Sequence, residues 1–177
     1  RKWVEFGEAL KVLSKMETKL PRVRPKNARN GWLDGVRILD LCNVIAGPHS
    51  AAYLARFGAE VIKLDPAKPF YDAWNTVIYG MSHMRGKRSL LTDIQTPEGK
   101  EILKKLVGEV DVVVWNAPDR QITEMGLDIE GLQQLNPDVV FCKLDCFSGV
   151  RLGPRTGYLG YDDLVQASTG IMLRFGG

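Results

Sequence analysis

The feature that most narrows the fold is an alternation: short β-branched runs take turns with longer amphipathic stretches, with glycine or proline at the junctions. Val36 to Leu41 (VRILDL) predicts a strand, Pro48 to Phe57 a helix closed by Gly58, and Glu60 to Leu64 (EVIKL) a second strand. This is a βαβ unit. After an irregular stretch holding Pro66, Pro69 and Gly80, the pattern returns. Ser89 to Asp93 reads as a short strand, Pro97 to Val107 as a helix with proline in its first turn, and Val110 to Trp115 as a buried strand. A turn and short helix over 119–135 lead through Asn136-Pro137 to a strand at Val139 to Leu144, and a Gly/Pro-rich loop precedes a helix from about Tyr161 to Leu173. Strands separated by helices join as crossovers, so the order predicts an α/β fold with a parallel sheet and helices on both faces.

Ahead of this pattern, Trp3, Phe6, Leu10, Leu13 and Leu20 recur at near-helical spacing, and Pro21 to Gly31 is basic, polar and rich in Pro and Asn. The reading is an amphipathic helix and linker over 1–31, then a domain over 32–177. A first residue that is not Met and an abrupt end at Gly176-Gly177 lead us to expect a piece of a longer chain, with the domain incomplete. Residues 1–29 carry nine Lys/Arg against three Asp/Glu, leaving the rest of a +3 chain at −3. The basic arm lacks interleaved aromatics and any nucleic-acid motif, so a solvated linker is expected and nucleic-acid binding is not.

With 45% hydrophobic and 25% charged residues and a mean hydropathy of −0.13, the composition excludes disorder, collagen-like repeats and a long coiled coil. No run approaches the roughly 18 apolar residues of a membrane-spanning helix, so no membrane partner is expected. Cys42, Cys142 and Cys146 form no CxxC, and His49 and His83 are far apart in sequence, so no metal site is expected. Three cysteines in or beside apolar runs, with no leader pattern at the N-terminus, point to reduced, buried thiols in a cytoplasmic compartment.

In a parallel sheet of this kind ligands bind beyond the carboxyl ends of the strands. That gathers Asn43 to Pro48, Asp65 to Phe70, Asn116 to Arg120 and Asp145 to Tyr161 as candidate site loops. A dinucleotide reading is weak: the first turn, Ala46-Gly47-Pro48-His49-Ser50, has no GxGxxG, although Asp65 ends the second strand where a ribose-binding acid would sit. Arg85-Gly86-Lys87-Arg88-Ser89 places three cations within four residues, which suits a phosphate as well as it suits a solvated turn. Asp162 and Asp163 open a helix, where a carboxylate is also favoured by the helix dipole.

Taken in order, these segments resemble the class III CoA-transferases, the formyl-CoA and carnitine CoA-transferase family. The resemblance runs through Leu33-Asp34-Gly35-Val36-Arg37-Ile38-Leu39-Asp40, Ala46-Gly47-Pro48 and Phe57-Gly58-Ala59-Glu60-Val61-Ile62-Lys63-Leu64-Asp65. It continues through Arg85-Gly86-Lys87-Arg88-Ser89, Thr96-Pro97-Glu98-Gly99-Lys100 and Asn136-Pro137, and ends on Gly160-Tyr161-Asp162 with Gln166-Ala167-Ser168-Thr169-Gly170. It covers roughly residues 33–177 and implies a Rossmann-like large-domain segment.

By that resemblance Asp162 is the nucleophile. Its carboxylate would attack an acyl-CoA thioester, give an aspartyl anhydride and then an aspartyl-CoA thioester, and pass CoA to a small carboxylic acid. An ordinary aspartate, of pKa about 3.9, is ionised at neutral pH and needs no partner base. The resemblance also implies that Asn43, Val44, Ile45 and Ala46 line the coenzyme A site, that Arg85, Lys87 and Arg88 meet its phosphates, and that Asn116 stands beside it. Gly170 and Gly176-Gly177 would offer backbone amides to an oxyanion. Coenzyme A or acyl-CoA is then a substrate, with no permanently bound cofactor.

Two departures mark this chain: Asn116-Ala117-Pro118-Asp119-Arg120 replaces NFRPG, and Asp145-Cys146-Phe147-Ser148-Gly149 replaces SGFG, altering the loop on the acyl side. Family members are longer and interlock as dimers, so the expected partners are the rest of the parent chain and a second copy, with this segment inactive alone. The helix and linker ahead of residue 32 fit the second half of a tandem member in which a lyase step follows transfer. An α-methylacyl-CoA racemase is the enzymatic alternative, but racemases read GHD where this chain has Gly160-Tyr161-Asp162. A non-catalytic CoA-binding domain is the other.

Overall fold

A computed structural model of the chain describes residues 31–68, 72–147, 153–158 and 160–175. Of the helix and linker expected over 1–31, residues 1–30 lie outside the described residues, as do Ser148-Gly149 and Gly176-Gly177. Five strands, β1 (Arg37–Asp40), β2 (Glu60–Asp65), β3 (Lys87–Leu91), β4 (Val112–Trp115) and β5 (Val140–Lys143), form one sheet in the order β3-β2-β1-β4-β5, and every pairing is parallel. The helices are α1 (Ala46–Arg56), α2 (Ala73–His83), α3 (Pro97–Val107), α4 (Asp119–Glu124), α5 (Ile129–Leu135), α6 (Asp162–Thr169) and α7 (Ile171–Phe175). The expected α/β architecture is therefore present.

The strand interiors explain the order. β1, β2 and β4 are covered on both faces, which is what their continuous apolar runs require, whereas β3 and β5 alternate with exposed positions and take the edges. On one face Leu39, Ile62, Leu64, Val113 and Trp115 pack with Ile102, Leu103, Leu106 and Val107 of α3, Ile122 of α4 and Leu132 of α5. On the other face a smaller cluster joins Ile38, Val61 and Val114 to Ala51 of α1, whose small residues let the helix lie close to the sheet.

Local chemistry sets the helix ends. The Thr96 hydroxyl accepts the Gly99 N–H at 3.1 Å ahead of Pro97, and the Asp128 carboxylate accepts the Gly131 N–H at 3.0 Å. Gly99 is fixed by a close approach, because a Cβ there would stand 1.9 Å from the Asp93 carbonyl oxygen.

Three expectations are corrected. The stretch expected to be irregular contains α2, opened by Asp72, whose Oδ1 accepts the Trp74 and Asn75 N–H groups at 2.9 and 3.0 Å. Its apolar residues, Trp74, Val77, Ile78 and Met81, have helical spacing but are exposed, so burial gave the sequence no reason to favour them. Where a turn and one short helix are expected over 119–135, there are two helices, α4 and α5. The helix expected from Tyr161 to Leu173 divides at Gly170, which takes φ +77° and ends α6 in a left-handed cap. Neither α6 nor α7 contains a buried residue.

Candidate functional site

The order β3-β2-β1-β4-β5 places a topological switch point between β1 and β4, where the chain leaves the sheet in opposite directions and the loops after the two strands part. Asn43 and Asn116 meet across it. The Asn43 N–H donates to Asn116 Oδ1 at 3.0 Å, and Asn116 Nδ2 donates back to the Asn43 carbonyl at 3.0 Å. The two asparagines thus bridge the floor of the crevice.

Beyond them Val44 has φ +69°, a left-handed conformation that a β-branched residue adopts only where its surroundings hold it there. Ile45 and Ala46 open α1 with no side-chain cap, so no capping side chain takes up the Ala46 and Gly47 amides, while Pro48 has no N–H and the His49 N–H bonds the Ile45 carbonyl. Four residues singled out from the sequence, Asn43 to Ala46, and a fifth, Asn116, are brought together at this point.

The three cations of the basic turn are not. Lys87 and Arg88 open β3, in register with Val61 and Ile62 at the start of β2, so they stand at the amino end of the sheet and, being consecutive strand residues, point to opposite faces. Lys87 turns under α1 and its Nζ lies 2.7 Å from Asp40 Oδ2. Arg88 turns to the other face, where its guanidinium and that of Arg37 share Glu60 at 2.6 and 2.9 Å. The Arg88 side chain remains 56% exposed, and Arg85, before the strand, is exposed. Asp65, the position of a ribose-binding acid in a dinucleotide fold, is paired with Lys63 at 2.7 Å.

Asp162 is the first residue of α6 and is exposed. Its side chain caps no backbone N–H. Instead its Oδ2 accepts a hydrogen bond from Gln166, one turn on. The neighbouring Asp163 accepts the Leu164 N–H at 3.0 Å, so the two acids divide the roles that the helix start offered them. The turn before Asp162 is pinned to the loop after β5. Cys146 Sγ donates to the Gly160 carbonyl at 3.4 Å, and a Cβ on Gly160 would stand 2.1 Å from Cys146 Cβ. Asp162 is thereby tethered to a carboxyl-end loop of the sheet. The Gly170 N–H donates to the Ala167 carbonyl at 3.3 Å as part of the helix cap.

Sequence reasoning did not find two features, the Asp40–Lys87 pair and the His49–His83 contact, and its expectation of buried thiols holds for Cys42 alone, since Cys142 and Cys146 are exposed. Asp40, fully buried, binds Lys87 and also accepts the Cys42 N–H at 2.9 Å. Cys42 is buried, and loss of hydration, reinforced by Asp40, drives its thiol far above the usual value, which makes it a packing residue. His49 and His83 are brought together by α1 and α2 with their Nδ1 atoms 3.1 Å apart. Only the Asp40 signal was in the sequence, as a charged residue inside a strand-like run. Among the described residues no group of three or more His, Cys, Asp or Glu could hold a metal ion, and no helix is long and apolar enough to cross a membrane.

Comparison with known proteins places this arrangement. A family model described as CoA-transferase family III matches residues 33–177. The chain is 54% identical over 154 residues to the CoA-transferase/lyase DddD of a Marinomonas species, covering 87% of this chain and 18% of that protein. It is 34% identical to the succinate–glutarate CoA-transferase of Agrobacterium fabrum, covering 79% of this chain and 38% of the relative. The crystal structure of a CAIB/BAIF family protein from Brucella suis superposes with a TM-score of 0.73 at 33% identity, over 81% of this chain and 40% of that one. The chain thus spans less than half the length of these relatives. With a family match over the whole described sheet and the same fold in a solved relative, the chain belongs to CoA-transferase family III.

Proposed function

We propose that the protein to which this chain belongs moves CoA from an acyl-CoA to a small carboxylic acid, with Asp162 as the nucleophile. The observation that carries this reading is the state of Asp162: an exposed carboxylate at a helix start, tethered to a carboxyl-end loop and relieved of capping by its neighbour. The Asp162 carboxylate attacks the thioester carbonyl, and the C–S bond breaks to give an aspartyl anhydride and CoA thiolate. The thiolate attacks the aspartyl carbonyl, releasing the donor carboxylate and leaving Asp162 as its CoA thioester. The acceptor carboxylate repeats the two steps in reverse, and Asp162 is regenerated. No proton transfer is required, which is consistent with a carboxylate whose partner is the Gln166 amide.

Coenzyme A is read as lying across the switch-point crevice, on Asn43, Val44, Ile45, Ala46 and Asn116, with the α1 amides toward its phosphates. The basic turn, at the amino end of the sheet and near Ala55 at the far end of α1, has no part in this reading. No permanently bound cofactor is part of this reading. The likeness to a protein named CoA-transferase/lyase supports a parent enzyme in which a lyase step follows transfer, and the short share of each relative covered supports a partner in the rest of the chain; a second copy is part of this reading by the family resemblance.

The test is covalent trapping. The full-length protein is incubated with acyl-CoA, quenched with hydroxylamine or borohydride, and mapped by mass spectrometry beside Asp162→Asn. Modification at Asp162, absent from the variant, is expected, with turnover reduced by about a thousandfold or more. CoA binding with no adduct would move the reading to proton-transfer chemistry or to a non-catalytic domain.

A further inference from the structure

Lys87 has two partners, and both belong to the protein. Its Nζ lies 2.7 Å from Asp40 Oδ2 and donates at 2.6 Å to the Pro48 carbonyl, and the Lys87 and Asp40 side chains are 1% and 0% exposed. The other oxygen, Asp40 Oδ1, accepts the Cys42 N–H at 2.9 Å. One ion pair therefore grips the last residue of β1, the second residue of the loop that follows it, and the first turn of α1. These three points bracket Asn43, Val44 and Ile45. The far side of the same loop is held by the reciprocal Asn43–Asn116 bridge. Between the two attachments sits Val44 at φ +69°, a conformation that relaxes unless it is held from both sides.

A buried ion pair is weak evidence for stability, because an apolar pair of similar volume often does as well. What this pair does is join elements: one ammonium bonds the Asp40 carboxylate at the end of β1 and the Pro48 carbonyl in the first turn of α1, and so fixes their separation. We infer that Lys87, with Asp40, is a positioning residue that sets the conformation of residues 42–46 and does not itself touch the ligand. This rests on the reading of that loop as the face that meets coenzyme A. It also accounts for a basic segment whose consecutive cations diverge: Lys87 serves the loop from beneath, while Arg85 stays at the surface.

The test uses the full-length protein and the double variant Asp40→Asn/Lys87→Met, which removes the pair together and strands no charge. Two readouts are taken. Dissociation constants are measured for an acyl-CoA and for the matching pantetheine thioester, which lacks the nucleotide phosphates. Both are expected to rise, that for acyl-CoA by about 10-fold, as a misplaced loop would cause. An acyl-CoA constant left unchanged would overturn the inference. Amide hydrogen exchange is measured on peptides covering 41–48 and on the β4 peptide, residues 112–115. Faster exchange, by about 10-fold, in the loop alone is expected. An unchanged loop, or an equal rise in β4, would overturn the inference, the second because the pair would then be serving general stability. If the unsubstituted protein binds neither thioester, the functional reading fails, and the exchange measurement alone decides the clamp.

Discussion

At the scale of single residues, sequence identity set the options and the neighbours chose among them. Asp162 and Asp163 are equivalent by residue type at a helix start, and only the hydrogen bonds from Gln166 and Leu164 tell them apart. His49 and His83 are similar: far apart in sequence, they meet at Nδ1, where one ring donates and the other accepts. His83 is 8% exposed, and its imidazole is held below the usual value by burial first, then by the charges of His49 and Lys87. The sign follows from linkage. The unfolded chain takes up a proton near the usual histidine value of about 6.5, while the folded chain resists it. The contribution to stability is full above that value and is lost as pH falls through the lowered value of the folded state. Urea unfolding followed from about pH 7.5 to about pH 5 should show stability falling with acid, and His83→Gln should flatten that fall. A slope unchanged by the substitution would place the acid sensitivity elsewhere.

At the scale of elements, three helices are opened by side-chain caps with different consequences. Thr96 caps α3, which buries Ile102, Leu103, Leu106 and Val107 in the main core, so Thr96→Ala should lower global stability by about 1 kcal/mol in urea unfolding. Asp72 caps α2 equally well, but the buried residue of that helix is His83 at its far end. Asp72→Ala should therefore speed amide exchange in the first turns of α2 while leaving the unfolding midpoint nearly unchanged. Equal losses of midpoint in the two variants would show that α2 unfolds with the core.

The same contrast explains which elements were legible in the sequence. α3 was read with its observed bounds because cap, N1 proline and buried spacing agree. The five strands were read to within two residues at either end because burial on one or both faces leaves a pattern. α2 was missed because a helix that exposes Trp74 and Met81 leaves no buried face to read, and the α6–α7 break was missed because one glycine within a helical run is ambiguous until its φ is known.

At the scale of the whole molecule, the two faces of the sheet are unequal. One carries α3, α4, α5 and the larger cluster, while on the other α1 covers the centre and β5 leaves Val140 and Cys142 exposed. The described part of α6 and α7 adds no buried residue there, and Leu173 is 92% exposed. Among the described residues the carboxyl-end crevice is built by the loops after β1, β4 and β5. A transfer reaction through acyl anhydrides needs water excluded from the site, since a reactive intermediate open to solvent hydrolyses. The isolated 177-residue chain should therefore show no CoA transfer when donor and acceptor are assayed together, while the full-length protein does. Transfer by the isolated chain would mean that these loops suffice.

What the sequence determined by itself was the βαβ order, the parallel sheet and the membership of loops in one crevice, because these follow from local periodicity and from the one way such units can be wound. The loops holding Asn43 and Asn116 meet for the same reason, since the loops after β1 and β4 part at the switch point whatever their side chains. What only the tertiary structure decided was the use of charge. Three cations contiguous in sequence are separated in space because consecutive strand residues face opposite sides, and Asp40, unremarked in a strand, becomes the partner of Lys87 because α1 closes over both. Periodicity reports which face a residue occupies, but a charged side chain reaches across strands to its partner, and that distance is set only when the sheet and its helices are packed.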